Sequence, residues 1–277
     1  MTHPYIPADV SQIVHSALDE DIGSGDLTSQ LLPEDAISSA TVTCREDAVM
    51  CGIPWFDEVY RQLDPDFNIS WHVSDGDKLS KNKIICQLSG NTRVLVSGER
   101  TALNFIQLLS GTATVTYEYV QLIKGTDTRL LDTRKTIPGL RTAQKYAVAC
   151  GGGKNHRMGL YDAILIKENH ISAAGSIKNA YINAVEIHKN VEIEVESIDE
   201  LQQALNAGAK QILLDNFTRE MMQEAVSLSI GKATLEVSGG VTRETIRPFA
   251  ETGVDFISVG ALTKNVRAID FSMRIEN

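Results

Sequence analysis

The sequence predicts a parallel α/β fold preceded by a smaller α+β unit. Three observations lead there. Six short runs rich in Ile, Leu and Val recur between residues 128 and 259, separated by longer amphipathic stretches. The first ~110 residues lack that rhythm and offer alternating strands and turns instead. A length of 277 residues, 43% apolar and 22% charged, suits one large domain or two modest ones and excludes disorder or a fibrous repeat.

Taken in order, the chain predicts a helix over 15–21, a strand over 39–45 and a helix over 54–62. Strands follow over 68–73, 84–88 and 93–96, with turns at Asp75-Gly-Asp77 and Ser89-Gly-Asn91. A long helical pattern from 99 to 123 then leads into the second half. There the apolar runs 128–133, 162–167, 192–196, 211–215, 234–238 and 255–259 read as strands buried on both faces of a parallel sheet. Helices are expected over 176–189, 198–207, 218–228 and 242–251. Ser197 and Thr242 stand at two of their starts, and Gly208 and Gly253 follow two of their ends. The spacing suits a barrel at least as well as an open doubly wound sheet. No low-complexity linker separates the halves.

Charge narrows the function. Twenty-six basic against 36 acidic residues give −10, which argues against a general binder of nucleic acid or anionic membranes. No window is apolar enough for a membrane span, and MTHPYIPADV has no basic n-region or apolar h-region of a secretory signal. Cys44, Cys51, Cys86 and Cys150 are scattered without CxxC spacing, as expected of reduced thiols in a cytoplasmic protein. Cys150 ends an apolar helical run and reads as core. The charge is uneven: residues 129–167 hold eight Lys or Arg against Asp132 and Asp162. Solvated helix faces would explain such a stretch, and so would a pocket for a small polyanion.

Strand ends decide between those readings, because ligand groups in parallel α/β folds lie at the carboxyl ends of strands. The six runs end in Asp132-Thr-Arg-Lys135, Lys167-Glu-Asn-His170, Glu196, Asp215, Ser238-Gly-Gly240 and Gly260-Ala261. Any one polar end is commonly structural, but six on one rim read as an active site. The Gly-rich ends allow backbone N–H groups to approach an anion ahead of a helix, or simply make tight turns. Glu196 and Asp215 read as a grip for Mg²⁺, which takes one or two carboxylates plus substrate phosphates, against the alternative of two solvent-facing acids. Arg134, Lys135, Arg157 and Lys167, with His156 beside Arg157 and Gly151-Gly-Gly153 just ahead, crowd like charges. A substrate with several carboxylates or phosphates would balance them.

The ordered set Ser97-Gly-Glu-Arg-Thr-Ala-Leu-Asn104, Asp132-Thr-Arg-Lys-Thr136, Gly152-Gly-Lys-Asn-His-Arg157 and Ile166-Lys-Glu-Asn-His170 resembles the quinolinate phosphoribosyltransferase family. Glu196, Leu214-Asp-Asn216, Ser238-Gly-Gly240 and Val259-Gly260 continue the resemblance along essentially the whole chain. It implies an N-terminal α/β sandwich over 1–111, joined by 268–277, and an incomplete α/β barrel over 112–267, paired as a homodimer or a higher oligomer. It implies formation of nicotinate mononucleotide, CO₂ and pyrophosphate from quinolinate and phosphoribosyl pyrophosphate with Mg²⁺, a step of NAD biosynthesis. Carried over by position, Arg134, His156, Arg157 and Lys167 would hold the carboxylates of quinolinate. Lys135 and Lys167 would reach the donor, Glu196 and Asp215 its ribose and metal, and Ser238, Gly239, Gly240 and Gly260 its 5′-phosphate. Thr133, Val259 and Ala261 would line the same pocket, and Arg100 would enter the partner subunit's site. Lys135, Lys167, Glu196 and Asp215 are the expected catalytic groups. The family barrel has about seven strands and the apolar runs supply six. A non-decarboxylating relative on another aromatic acid, or a non-catalytic sensor of phosphorylated metabolites, would share much of this pattern.

Overall fold

The structure, a computed structural model, describes residues 4–276. The chain divides into two compact units. One holds the residues up to 117, then 136–152, and those from 261 onward; the other holds 118–135 and 153–260. The expected limits at 111/112 and 267/268 differ from these, and residues 1–3 and 277 of those spans lie outside the described residues.

The first unit begins with α1 (Val10–Ile22), β1 (Ile37–Cys44), β2 (Ala48–Val49), α2 (Ile53–Leu63), β3 (Asn68–Trp71), β4 (Lys78–Leu79) and β5 (Ile84–Asn91). Helix α3 (Thr92–Leu122) follows at once. The strand expected over 93–96 is therefore the first turn of a helix. Asn91 is the reason: its Oδ1 accepts from the N–H groups of Arg93 (2.9 Å) and Val94 (3.3 Å), an N-cap that overrides a Val-rich run. The side chains of Trp55, Phe56 and Tyr60 on α2 are essentially fully buried, and Phe56 meets Trp71 edge-on at 5.2 Å. Burying each such side chain is worth about 1.5–3 kcal/mol. Helix α4 (Arg141–Cys150) inserts Ala143, Tyr146 and Ala147 into this core, which groups it with the first unit despite its place in sequence.

The second unit carries β6 (Arg129–Leu131), β7 (Ile164–Ile166), α5 (Glu168–Ala174), α6 (Ile177–Ile187), β8 (Val191–Val195), α7 (Ile198–Asn206), β9 (Gln211–Asp215), α8 (Arg219–Ser229), β10 (Thr234–Ser238), α9 (Ile246–Ala250) and β11 (Phe256–Ser258). The chain returns to the first unit in α10 (Ala261–Lys264) and β12 (Phe271–Glu276). There β12 pairs antiparallel with β1, from Ser39–Glu276 to Cys44–Phe271, and completes a sheet of order β12-β1-β5-β3.

The parallel sheet runs β6-β11-β10-β9-β8-β7. Its strands are apolar because both faces are covered: on β9, Ile212 and Leu214 are fully buried on one face and Leu213 is buried on the other. Ser197 caps α7 by accepting from the Glu200 N–H. Thr242 instead opens a turn, and α9 starts only at Ile246. A further strand-like contact lies at Lys154, which forms a parallel bridge with Leu131. Its N–H reaches Leu130 O (2.8 Å), and its carbonyl accepts from Asp132 N (3.1 Å). One bridged residue leaves no periodic trace in sequence. Among the described residues no ladder joins this segment to β7, so the barrel stays open there.

Candidate active site

Within the second unit, Asp132, Lys167, Glu196, Asp215, Ser238 and Gly260 all lie at or within two residues of the C-terminal ends of β6 to β11. Strand topology alone therefore gathers them on one rim. The two acids expected to be too few for the basic segment are both engaged by backbone. Asp132 is fully buried and accepts from His156 N (2.8 Å) and Asn155 Nδ2 (2.7 Å). Asp162 accepts from Met158 N (2.6 Å) and Gly159 N (2.9 Å). Arg134 and Arg157 are half-buried neighbours, and burial together with the Arg134 cation pulls the Arg157 pKa down. A half-buried guanidinium opposed by a second positive charge suits an anionic ligand.

Lys167 precedes α5, whose His170 caps the helix by accepting the Lys167 N–H at Nδ1 (2.9 Å). The Lys167 ammonium is ion-paired with Glu194 on β8, which aims it. Lys135 is exposed, and its side chain lies against Gly260, where a Cβ would come within 3.0 Å of Cδ and 3.4 Å of Thr133 Oγ1. Thr133, Lys135 and Gly260 are thus one cluster. Val259 is buried and its N–H is taken by Leu131 O (3.0 Å), so it offers a substrate no such donor.

Glu196 is exposed and Asp215 half-buried, on adjacent strands in register at Val195–Leu214. Neither carboxylate is ion-paired among the described residues. Asn216 adjoins both Asp215 and the glycine turn. Its Nδ2 donates to Asp215 Oδ2 (2.8 Å) and its N–H to Ser238 O (3.1 Å). A Cβ on Gly239, at φ +90°, would stand 2.2 Å from Asn216 Oδ1. Only glycine fits there, and Gly240 beside it has open space where its Cβ would be. Arg100, on α3, and Ala261, at the start of α10, belong to the first unit. The Arg100 side chain is exposed and makes no hydrogen bond or ion pair among the described residues.

His156 departs from its expected use on a substrate carboxylate. Its ring lies among acidic side chains of the strands, with Nε2 2.9 Å from Glu192 Oε2 and 3.4 Å from Glu236 Oε2, while Nδ1 accepts from Arg157 N (2.7 Å). Both ring nitrogens are turned to protein. Glu192, Glu194 and Glu236 were not singled out from sequence, although acids inside strands buried on both faces (EIEVE, TLEVS) are the signal that marks them. A cavity of about 490 Å³ reaches this cluster from the starts of the strands, between Arg129, Gln211 and Thr234. The larger groove of the first unit, about 640 Å³ along α1 and α3, holds none of the second unit's rim residues.

Burial, reinforced by the Glu192 carboxylate, pushes the Glu236 pKa up to about 8. Since the folded value exceeds the unfolded one, the stability this group contributes is complete below about pH 4.5 and is lost as pH rises through about 8. Glu236→Gln cannot ionise, so its melting temperature relative to wild type should rise steadily across that window. Parallel stability curves for the two proteins would show that Glu236 does not hold this proton.

An incomplete parallel barrel with clustered cations, paired acids and a glycine cradle on its carboxyl rim defines an α/β-barrel enzyme for a phosphorylated, polyanionic substrate. Known proteins narrow that class. Residues 26–110 match the family model for the quinolinate phosphoribosyl transferase N-terminal domain, and residues 112–274 match that for the C-terminal domain. A probable nicotinate-nucleotide pyrophosphorylase [carboxylating] from Bacillus subtilis is 42% identical over 259 residues, covering 92% of this chain and 90% of the relative. A mitochondrial quinolinate phosphoribosyltransferase [decarboxylating] from Nicotiana tabacum is 38% identical, covering 97% and 82%. The solved nicotinate-nucleotide pyrophosphorylase of Francisella tularensis superposes with a TM-score of 0.95 at 50% identity, covering 98% of each chain. The chain belongs to the quinolinate phosphoribosyltransferase family. Among the described residues, no helix is long and apolar enough to cross a membrane.

Proposed function

We propose that the protein transfers the phosphoribosyl group of phosphoribosyl pyrophosphate to quinolinate with decarboxylation, giving nicotinate mononucleotide, CO₂ and pyrophosphate in NAD biosynthesis. The observation that carries this reading is that burial and the Arg134 charge together oppose the Arg157 cation, an opposition that a bound anion would relieve. Arg134, Arg157 and Lys167 grip the two carboxylates of the acceptor. Lys135, Ser238, Gly239, Gly240 and Gly260 hold the donor's phosphates, and Glu196 and Asp215 its ribose.

The ring nitrogen of quinolinate displaces pyrophosphate from ribose C1 through an oxocarbenium-like centre, so orientation and charge stabilisation dominate the rate. The ring nitrogen is then cationic. The C2–carboxylate bond breaks, its electron pair remains on C2 beside that cation, CO₂ leaves, and a proton completes the product. No protein nucleophile is required. Glu196 and Asp215 suit Mg²⁺, being hard oxygen donors on neighbouring strand ends with no competing cation among the described residues. Held by these two carboxylates, Mg²⁺ would supply positive charge against that of the donor's leaving group.

We further propose a homodimer in which Arg100 completes the partner's site. The four free thiols accord with a reducing cytoplasm. With quinolinate labelled at the 2-carboxylate, release of labelled CO₂ should be equimolar with pyrophosphate and absent without the donor. Pyrophosphate without CO₂ would identify a different acceptor chemistry. Combining Glu196→Ala with Asp215→Ala should weaken donor binding and remove its Mg²⁺ dependence. Unchanged donor affinity by calorimetry, with and without Mg²⁺, would refute the metal grip.

A further inference from the structure

We propose that Glu192 is a positioning residue for the acceptor, acting through the His156 ring to hold Arg157 in place. The inference rests on Arg157 gripping quinolinate. The barrel is open at one edge. The segment around Lys154 bonds to β6 on one side, β7 bonds to β8 on the other, and no ladder spans the gap among the described residues. Side chains hold Arg157 there instead. Its Nη1 donates to Ala163 O (3.1 Å), just ahead of β7, and its peptide N–H donates to His156 Nδ1 (2.7 Å).

A peptide N–H can only donate. Nδ1 is therefore the acceptor, the ring proton lies on Nε2, and that proton points to Glu192 Oε2 at 2.9 Å. The relay runs from β8 through one imidazole to the backbone of the residue that grips the substrate. Glu192 is 8% exposed, so its oxygen is not free to swing into water. The same geometry disposes of a metal reading for His156, Glu192 and Glu236, whose ligand atoms lie within 4.8 Å of one another. A metal needs the Nε2 lone pair, and Nε2 carries the proton. What Glu192 must supply is an acceptor oxygen at the right place, not a charge.

That requirement separates two conservative variants. Glu192→Gln keeps the oxygen and loses the charge. Glu192→Asp keeps the charge and withdraws the oxygen by one methylene. Glu192→Gln should hold the quinolinate KM within about threefold of wild type, whereas Glu192→Asp and Glu192→Ala should raise it on the order of tenfold. The KM for phosphoribosyl pyrophosphate should stay unchanged in all three. Added to Arg157→Ala, Glu192→Asp should cause no further loss, because both act on one contact.

Nitrogen NMR of the His156 ring supplies a readout independent of activity: Nε2–H in wild type and in Glu192→Gln. A proton on Nδ1 overturns the relay whatever the kinetics show. Equal effects of Glu192→Gln and Glu192→Asp, or additivity with Arg157→Ala, also overturn it. An unchanged quinolinate KM in Arg157→Ala overturns the assignment of Arg157 to the acceptor, and the positioning role with it.

Discussion

Quinolinate should be used on the order of 10²-fold or more better than nicotinate, measured as kcat/KM by pyrophosphate release. The two acids differ by one carboxylate. Arg134 and Arg157 are both half-buried, and burial together with the Arg134 charge disfavours the Arg157 cation. Asp132 and Asp162, the acids nearest in sequence, accept backbone N–H groups of the loop, and the Asp162 and Glu192 charges only partly offset what burial and Arg134 do to Arg157. An acceptor lacking the second carboxylate leaves a desolvated cation unmatched, a cost of roughly 1–3 kcal/mol, more for a charged group. Arg134→Ala should lower kcat/KM for quinolinate steeply while changing that for nicotinate much less, so the preference narrows. Comparable kcat/KM for both acids in the wild-type protein would sink the decarboxylating assignment and favour a relative acting on a mono-acid.

Mixing two inactive variants should restore about a quarter of wild-type activity, if the site is shared across a two-fold dimer. The variants are Arg100→Ala and Lys135→Ala. Lys135 lies on the rim against Gly260, whereas the Arg100 side chain on α3 is exposed with no bond of its own among the described residues. Each protein alone should be nearly dead and normally folded. Unfolded together and refolded as an equal mixture, random pairing makes about half the dimers mixed. In a mixed dimer, one pocket joins an intact rim to an intact Arg100, and the other carries both defects. A mixture as inactive as its parents, with mixed dimers confirmed by mass, would assign Arg100 to its own chain or to no site.

Much of the rim was legible without coordinates. Lys167, Glu196, Asp215 and Ser238-Gly-Gly240 end apolar runs, and a strand buried on both faces has its last polar residue where the barrel meets solvent. The period of the pattern therefore placed these groups on one rim. Arg93–Val96 failed because a side-chain cap at Asn91 outweighed local strand preference. The surroundings of the His156 ring were hidden for a different reason. Proximity to Arg157 in sequence suggested a shared substrate contact, but which way an imidazole turns depends on partners 36 and 80 residues away, Glu192 and Glu236.

The sequence by itself determined the strand order's raw material, the carboxyl-end placement of the charged groups and the family, because periodicity and motif order are properties of the chain read along its length. Tertiary structure alone decided that α4 serves the first core, that one residue, Lys154, stands in for a strand, and that Lys167 is aimed by Glu194. It alone turned His156 inward. These are choices among long-range partners of similar local chemistry, and only packing, burial and the direction of each hydrogen bond distinguish between them.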